Sequence, residues 1–174
     1  FKKIEKNYNG IAYTNLINHQ KVENNTAFQY FTNYGVIAFL PISEKKTSIV
    51  FSFYKKHHFN EKKIIEIITQ YADNYKISNF SKFEKFNLKL SLLRNYTHKN
   101  ILFFGDLIHQ VHPLAGQGFN MTLRDIKILS TLIDEKINLG IELNNSIFES
   151  FQKKIKHLNY IFVSGIDLVY EFFK

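Results

Sequence analysis

Cysteine and tryptophan are absent from this 174-residue chain, and proline occurs only at Pro41 and Pro113. Without cysteine there is no disulfide framework, no cysteine-ligated zinc, no iron–sulfur cluster and no thiol nucleophile, and a reducing cytosolic setting is permitted. The one methionine is Met121 and the chain opens on Phe1, so we read it as a fragment of a longer protein. Long apolar runs are also missing: none approaches the roughly 20 residues that span a bilayer, and the N-terminus carries no signal-peptide pattern. The most apolar stretch, 158–173, is broken by Asn159, Asp167 and Glu171. Arginine is scarce as well. Net charge is +8, yet only Arg94 and Arg124 among 23 basic residues carry the forked guanidinium that phosphate and base recognition favour. No face concentrates the lysines, so nucleic acid is not an expected partner.

What is present is 45% hydrophobic, enough for an ordinary globular core. Residues 10–16, 36–40 and 48–54 are rich in β-branched and aromatic side chains, which predicts a strand and then a hairpin turning at 43–46. The polar segment 21–33, with AFQYF at 27–31, reads as a crossing loop. Ile64, Ile65, Ile68, Tyr71, Ala72 and Tyr75 recur at helical spacing, predicting a helix over 61–75 capped by Asn60. Phe86, Leu88, Leu90 and Leu92 alternate with polar residues, the pattern of a strand with one wet face. Residues 101–104 read as a short buried strand opening on a loop at Gly105 and Asp106. A helix follows with Ile126, Leu129, Ile133 and Ile137 as its stripe, capped by Asn120 or by Thr122 and Asp125. A last helix begins near Asn145, with Phe148, Phe151, Ile155, Leu158, Phe162, Ile166, Val169 and Phe173 on one face and Gly165 as a candidate kink.

The information is concentrated in GDLIHQVHPLAGQGFNMTLRDI, 105–126. Asp106, where a strand runs out, can accept hydrogen bonds from a ligand's hydroxyls. Pro113 stiffens the loop and keeps the residues before it extended. Gly116 and Gly118 permit positive φ and a close approach of backbone to a flat ligand. The following helix turns its free N–H groups and the positive end of its dipole to the same place, which favours an anionic ligand. Asp106, His109 and His112 recur every third residue, but Pro113 argues against a continuous helical metal site, and no metal is expected. His109 reads as a loop histidine bonded to backbone, His112 as packing beside a ligand, and His57 and His58 as solvated.

These residues resemble the second flavin-binding motif of the ubiquinone-biosynthesis hydroxylases, members of the para-hydroxybenzoate hydroxylase superfamily. AFQYF, GVIAFLPIS at 35–43 and SIVFSF at 48–53 are similar to the segment in which those enzymes build the sheet over the substrate. The likeness implies an α+β piece of a larger FAD/NAD(P)-binding α/β fold. It would comprise a mixed or antiparallel substrate-side sheet (1–98), a flavin-binding strand-loop-helix (99–140) and a C-terminal helical region (141–174). It further implies FAD held by Gly105, Asp106 (to a ribityl hydroxyl), Pro113 (lining the reacting side of the ring) and Gly116, Gly118, Phe119 and Asn120 (backbone N–H groups to the pyrimidine edge). No residue of the chain is expected to be catalytic in itself. NAD(P)H would be the reductant, O2 the co-substrate and a polyprenylated phenol the substrate, with other ubiquinone-biosynthesis proteins as candidate partners. The implied location is cytoplasmic, with peripheral attachment at the inner face of the membrane following from the greasy substrate.

Arg124 and Asp125 match the family's LRD and are expected to anchor the helix. Leu107 and Ile108 depart from the family, which has small residues there, and are expected to tighten or shift the dinucleotide's seat. The GxGxxG unit that would hold the ADP half is not in the chain, so the chain alone is expected to hold FAD poorly and to be inactive. Two other readings stand beside this one. A related flavoprotein could act on a small aromatic acid or an isoprenoid, and a non-catalytic remnant could bind a partner through its helical end.

Overall fold

The computed structural model describes residues 2–113 and 116–172. It divides into two compact units, residues 8–88 and a second comprising residues up to 7 with those from 89 onward. Two strands, β1 (Lys3–His19) and β6 (Glu84–Leu93), run through both. The boundaries expected at 98 and 140 both fall within the second unit.

In the 8–88 unit, β2 (Phe28–Thr32), β3 (Gly35–Ser43) and β4 (Lys46–Tyr54) form an antiparallel meander against β1. The register of β1 on β4 runs from Gly10 opposite Tyr54 to Asn18 opposite Lys46. The expected hairpin is present, but AFQYF is not loop: Phe28 to Thr32 pairs with β3 as the edge strand. Its aromatic alternation is a strand signal that the polar residues before it obscured.

Alternation sorts the side chains between two faces. Ile17, Ile37, Phe39, Ile49, Phe51 and Phe53 form a core with Ile64, Ile67, Ile68 and Ala72 of the helical side, α1 being Glu61–Gln70. Asn60 caps α1 as expected, its side chain accepting from the Lys63 N–H at 2.9 Å. The helix ends at Gln70 rather than Tyr75, because Asp73 and Asn74 favour a turn; Tyr71 and Tyr75 still pack on the core. On the opposite face Thr14, Leu16, Val36, Ala38, Ser48 and Val50 are half-buried. Short β5 (Ile77–Phe80) pairs with the end of β1.

In the other unit, Leu92 and Ser91 of β6 pair with β9 (His109–Gln110). The single wet face expected of β6 holds over 87–90, where exposed Asn87 and Lys89 alternate with buried Leu88 and Leu90, and fails at both ends. Phe86 is exposed, whereas Leu90 to Leu93 are all buried. Residues 101–104 are not a buried strand either. Only Ile101–Leu102 (β8) is paired as a strand, in a small hairpin with β7 (Thr97–His98), and Ile101 is 56% exposed. Lys99 at the turn takes φ 51°, and Phe103 and Phe104 then turn inward to the unit's core.

The long helices are α2 (Gln117–Asn138) and α3 (Ser146–Phe172), joined through Gly140 at φ 65°. α2 starts earlier than expected, and Asn120, Thr122 and Asp125 lie inside it rather than at its cap. α3 begins where expected and runs unbroken through Gly165. Its buried face is Ile147, Phe151, Ile155, Asn159, Val163, Ile166 and Tyr170, so Leu158, Phe162 and Val169 are partly exposed, and Phe173 lies outside the described residues. Each polar residue that interrupts the apolar stretch has a partner. Lys6 Nζ reaches Asp167 at 2.8 Å and Glu171 at 3.0 Å, and Asn159 bonds Arg124 and Tyr96. No helix among the described residues is long and apolar enough to cross a membrane.

Candidate functional site

The segment singled out in the sequence wraps the first turns of α2. Gly105, at φ 62°, opens a 3-10 turn over Gly105–Leu107, and a side chain added to it would stand 3.7 Å from Thr122 of α2. Asp106 lies in that turn and is exposed to solvent. An exposed carboxylate can exchange bound water for a ligand's hydroxyl, the charge-assisted hydrogen bond offsetting the hydration it gives up.

Further along, Val111 comes within 3.7 Å of the position a Cβ on Gly118 would take. Pro113 is half-buried, and Leu114 and Ala115 of the motif lie outside the described residues. Gly116 then takes φ 64° as the residue before α2, and among the described residues, its chain neighbours aside, no heavy atom lies within 4 Å of where its side chain would be. Gly118 has ordinary helical φ, so only one of the two glycines expected to need left-handed backbone does so. Among the described residues no side chain caps this end, so the first N–H groups of α2, from Gln117 to Asn120, lack a side-chain acceptor. Phe119 is 68% exposed and Asn120 is exposed beside it.

The donor set fits the flavin and ribityl part of FAD. Helix N–H groups without a side-chain cap and a helix dipole suit an electron-poor heterocycle that takes on negative charge, Gly116 carries no side chain to obstruct its approach, and Asp106 suits a hydroxyl. Ile108, expected to crowd the dinucleotide, is fully buried in the unit's core, while Leu107 is exposed.

What holds the loop to the helix is a network the sequence reading missed. His109 is bonded not to backbone but to a carboxylate: its Nε2 lies 2.9 Å from Asp125 Oδ2, and both side chains are fully buried. The other oxygen of Asp125 accepts from Arg124 Nη2 at 2.7 Å and Nε at 3.1 Å. Arg124 also donates to Asn159, which donates to the Tyr96 hydroxyl at 3.3 Å. Burial pushes the Tyr96 phenol above its ordinary range. Arg124 and Asp125 thus tie α2 to the preceding loop and to α3, the anchoring role expected of them. The available signals were Asn159 on a buried helical face and one of two arginines beside an acid, but residues 16 and 35 apart in sequence meet only in the folded chain.

His112 is buried with its ring 4.4 Å from that of Tyr170, and burial lowers its pKa from 6.5 to about 4. The unfolded chain therefore binds a proton below pH 6.5 that the folded chain refuses until about pH 4. Stability should fall through that window by up to about 3 kcal/mol and level off below it, with no contribution above pH 6.5. Melts of His112→Phe between pH 4 and 7 should be flatter than those of the parent; equal slopes would remove His112 as the cause. His57 differs from the solvated residue expected: it is half-buried, with its ring stacked on Phe59 at 5.3 Å, while His58 is exposed.

Comparison with known proteins gives a match of residues 11–139 to a family model described as FAD binding domain. Mitochondrial ubiquinone biosynthesis monooxygenase COQ6 of Dictyostelium discoideum is 33% identical over 53% of this chain and 19% of its own length. COQ6 of Homo sapiens is 25% identical over 86% of this chain and 41% of its own. The chain spans less than half the length of these relatives. Among solved structures, PqsL of Pseudomonas aeruginosa, described as a probable FAD-dependent monooxygenase, superposes with a TM-score of 0.66 at 18% identity. That match covers 94% of this chain and 48% of PqsL, and it is a likeness of fold.

Proposed function

The chain belongs to the FAD binding domain family, and from that premise we propose that it is the flavin- and substrate-side part of an FAD-dependent monooxygenase that hydroxylates an aromatic ring in ubiquinone biosynthesis. The observation that carries the reading is the left-handed Gly116 delivering the uncapped start of α2 beside the turn that holds Asp106. Bound there, FAD would supply the oxygen chemistry, with NAD(P)H as reductant and O2 as co-substrate.

The residues of this chain bind, orient and exclude. Asp106 and Gly105 hold the ribityl chain, Pro113 lines the ring, and Gly116, Gly118, Phe119 and Asn120 present backbone N–H groups to its pyrimidine edge. The positive end of α2 favours negative charge at that edge by roughly 0.3–1 kcal/mol, and more where partly buried. His109 and Asp125 position the segment that carries Pro113, acting through the loop rather than on the substrate.

The half-buried face of the sheet is the surface offered to substrate. Across its middle, residues 12–16, 36–40 and 48–52 include no charged side chain. A small aromatic acid would find no counter-charge there, which favours a phenol with an apolar tail over the soluble-acid alternative. A polyprenylated phenol should be turned over by the full-length protein at least about tenfold faster than a small aromatic acid, as one unpaired buried charge costs more than the 1.4 kcal/mol this ratio represents. Faster turnover of the acid would decide for the alternative.

The FAD assignment is tested directly by titration. In the full-length protein Asp106→Ala should weaken FAD by about tenfold or more, since a hydrogen bond to a charged group contributes roughly 1.5–3 kcal/mol. Unchanged affinity in a folded variant would sink the assignment of Asp106.

A further inference from the structure

A cavity of about 540 Å³ lies in the unit that contains α2 and α3, and none of the residues assigned to FAD lines it. Its volume is within the range of small-molecule sites, roughly 300–1,000 Å³. Leu92 and Leu93 of β6 are buried beneath it, and Ile4 of β1 and Tyr160 of α3, both exposed, add apolar surface to its lining. Its mouth is cationic. Arg94 follows directly on β6, and Lys153, Lys156 and His157 lie on one side of α3 at spacings of three and four. Glu149 is the single acid among the lining residues.

Arg94, Lys153 and Lys156 give the lining a net positive charge over Glu149. Lys6, Lys21, Lys63 and Arg124 each make an ion pair, whereas none of Arg94, Lys153, Lys156 or His157 has one among the described residues. Arg94 is the one arginine outside the buried network, and its planar fork suits two oxygens of one head group. The two requirements fit different parts of one molecule. An inorganic anion would leave the apolar floor wet, and a neutral hydrocarbon would leave the rim unanswered.

We propose that this cleft binds a single-chain anionic amphiphile, a carboxylate or phosphomonoester. Its head sits on Arg94 and Lys156, and its chain lies along Ile4, Leu92 and Leu93. The same chemistry could be met by a free molecule or by a lipid in a bilayer, and the cleft is matched to the free molecule. It is a cleft of about 540 Å³, where a bilayer would need a broad apolar face.

Calorimetric titration of the full-length protein tests this with decanoate, decyl phosphate, 1-decanol and inorganic phosphate, each below its micelle concentration, and with phosphatidylglycerol vesicles. Decanoate and decyl phosphate should bind saturably at one per chain, decanol about tenfold more weakly, and phosphate not measurably, because the charge-assisted contact and the apolar burial are both needed. Arg94→Gln, on the surface and clear of the FAD residues, should weaken decanoate about tenfold with FAD affinity and melting temperature unchanged. Equal affinity for decanoate and decanol would make the cleft a mere apolar crevice and overturn the proposal. So would an Arg94→Gln variant that binds normally, or binding to vesicles with none to the free amphiphiles. Loss of FAD binding leaves these outcomes untouched, so the two readings fail separately.

Discussion

Replacing Gly35 by alanine should destabilise the 8–88 unit by about 3 kcal/mol or more, the sum of an overpacked interior and a strained backbone. Gly35 sits opposite Phe53 in the β3–β4 ladder at φ 148°, and an added Cβ would fall 2.0 Å from the Ser52 carbonyl oxygen and 2.8 Å from Phe53 Cα. Both are backbone atoms, so no side chain can swing aside; the strands themselves must part. The turn before it cannot absorb the change, because the Thr32 hydroxyl donates to the Gly35 carbonyl and accepts from the N–H groups of Tyr34 and Gly35. Gly140→Ala is the control. It also has positive φ but nothing within 4 Å, and should cost only about 1 kcal/mol. Urea melts of the two variants should differ clearly in midpoint; a Gly35→Ala protein as stable as Gly140→Ala would mean that β3 and β4 are not so closely paired here.

Asp125→Ala should cost about 3–5 kcal/mol, the usual result of removing one partner from a buried pair. The loss is more than one contact, because the carboxylate is shared: one oxygen meets His109, the other Arg124. Alanine would leave a buried imidazole and a largely buried guanidinium without their acceptor, and would also free the loop before Pro113 from α2. A thermal melt reads the stability term, and FAD titration of the surviving folded fraction reads the loosened loop. A variant within about 1 kcal/mol of the parent would show that the pair contributes no more than an exposed one.

Local patterns carried much of the fold. The β3–β4 hairpin, the Asn60 cap and the start of α3 were legible because each depends on residues close in sequence. Edge strand β2 was hidden by the polar run before it. The four apolar residues 101–104 suggested burial as a strand, but Ile101 faces solvent while Leu102, Phe103 and Phe104 pack on the unit's core, Phe104 against Phe151, a distinction made by packing rather than by period. Within the candidate site, the glycines and Asp106 could be picked out by residue type. Which glycine takes left-handed backbone, and that His109 faces Asp125, depends on where α2 begins, and no cap residue marked that point.

The division into units has a consequence for how such proteins diversify. Residues 8–88 leave and re-enter the rest of the chain at neighbouring points, since Gly10 near one end stands against Leu88 at the other. Topologically the sheet is an insert, spliced into a host that contains every residue assigned to FAD. On the proposed assignment, exchanging the insert between relatives would change the sheet while leaving every proposed flavin residue in place, with two adjacent joins to match.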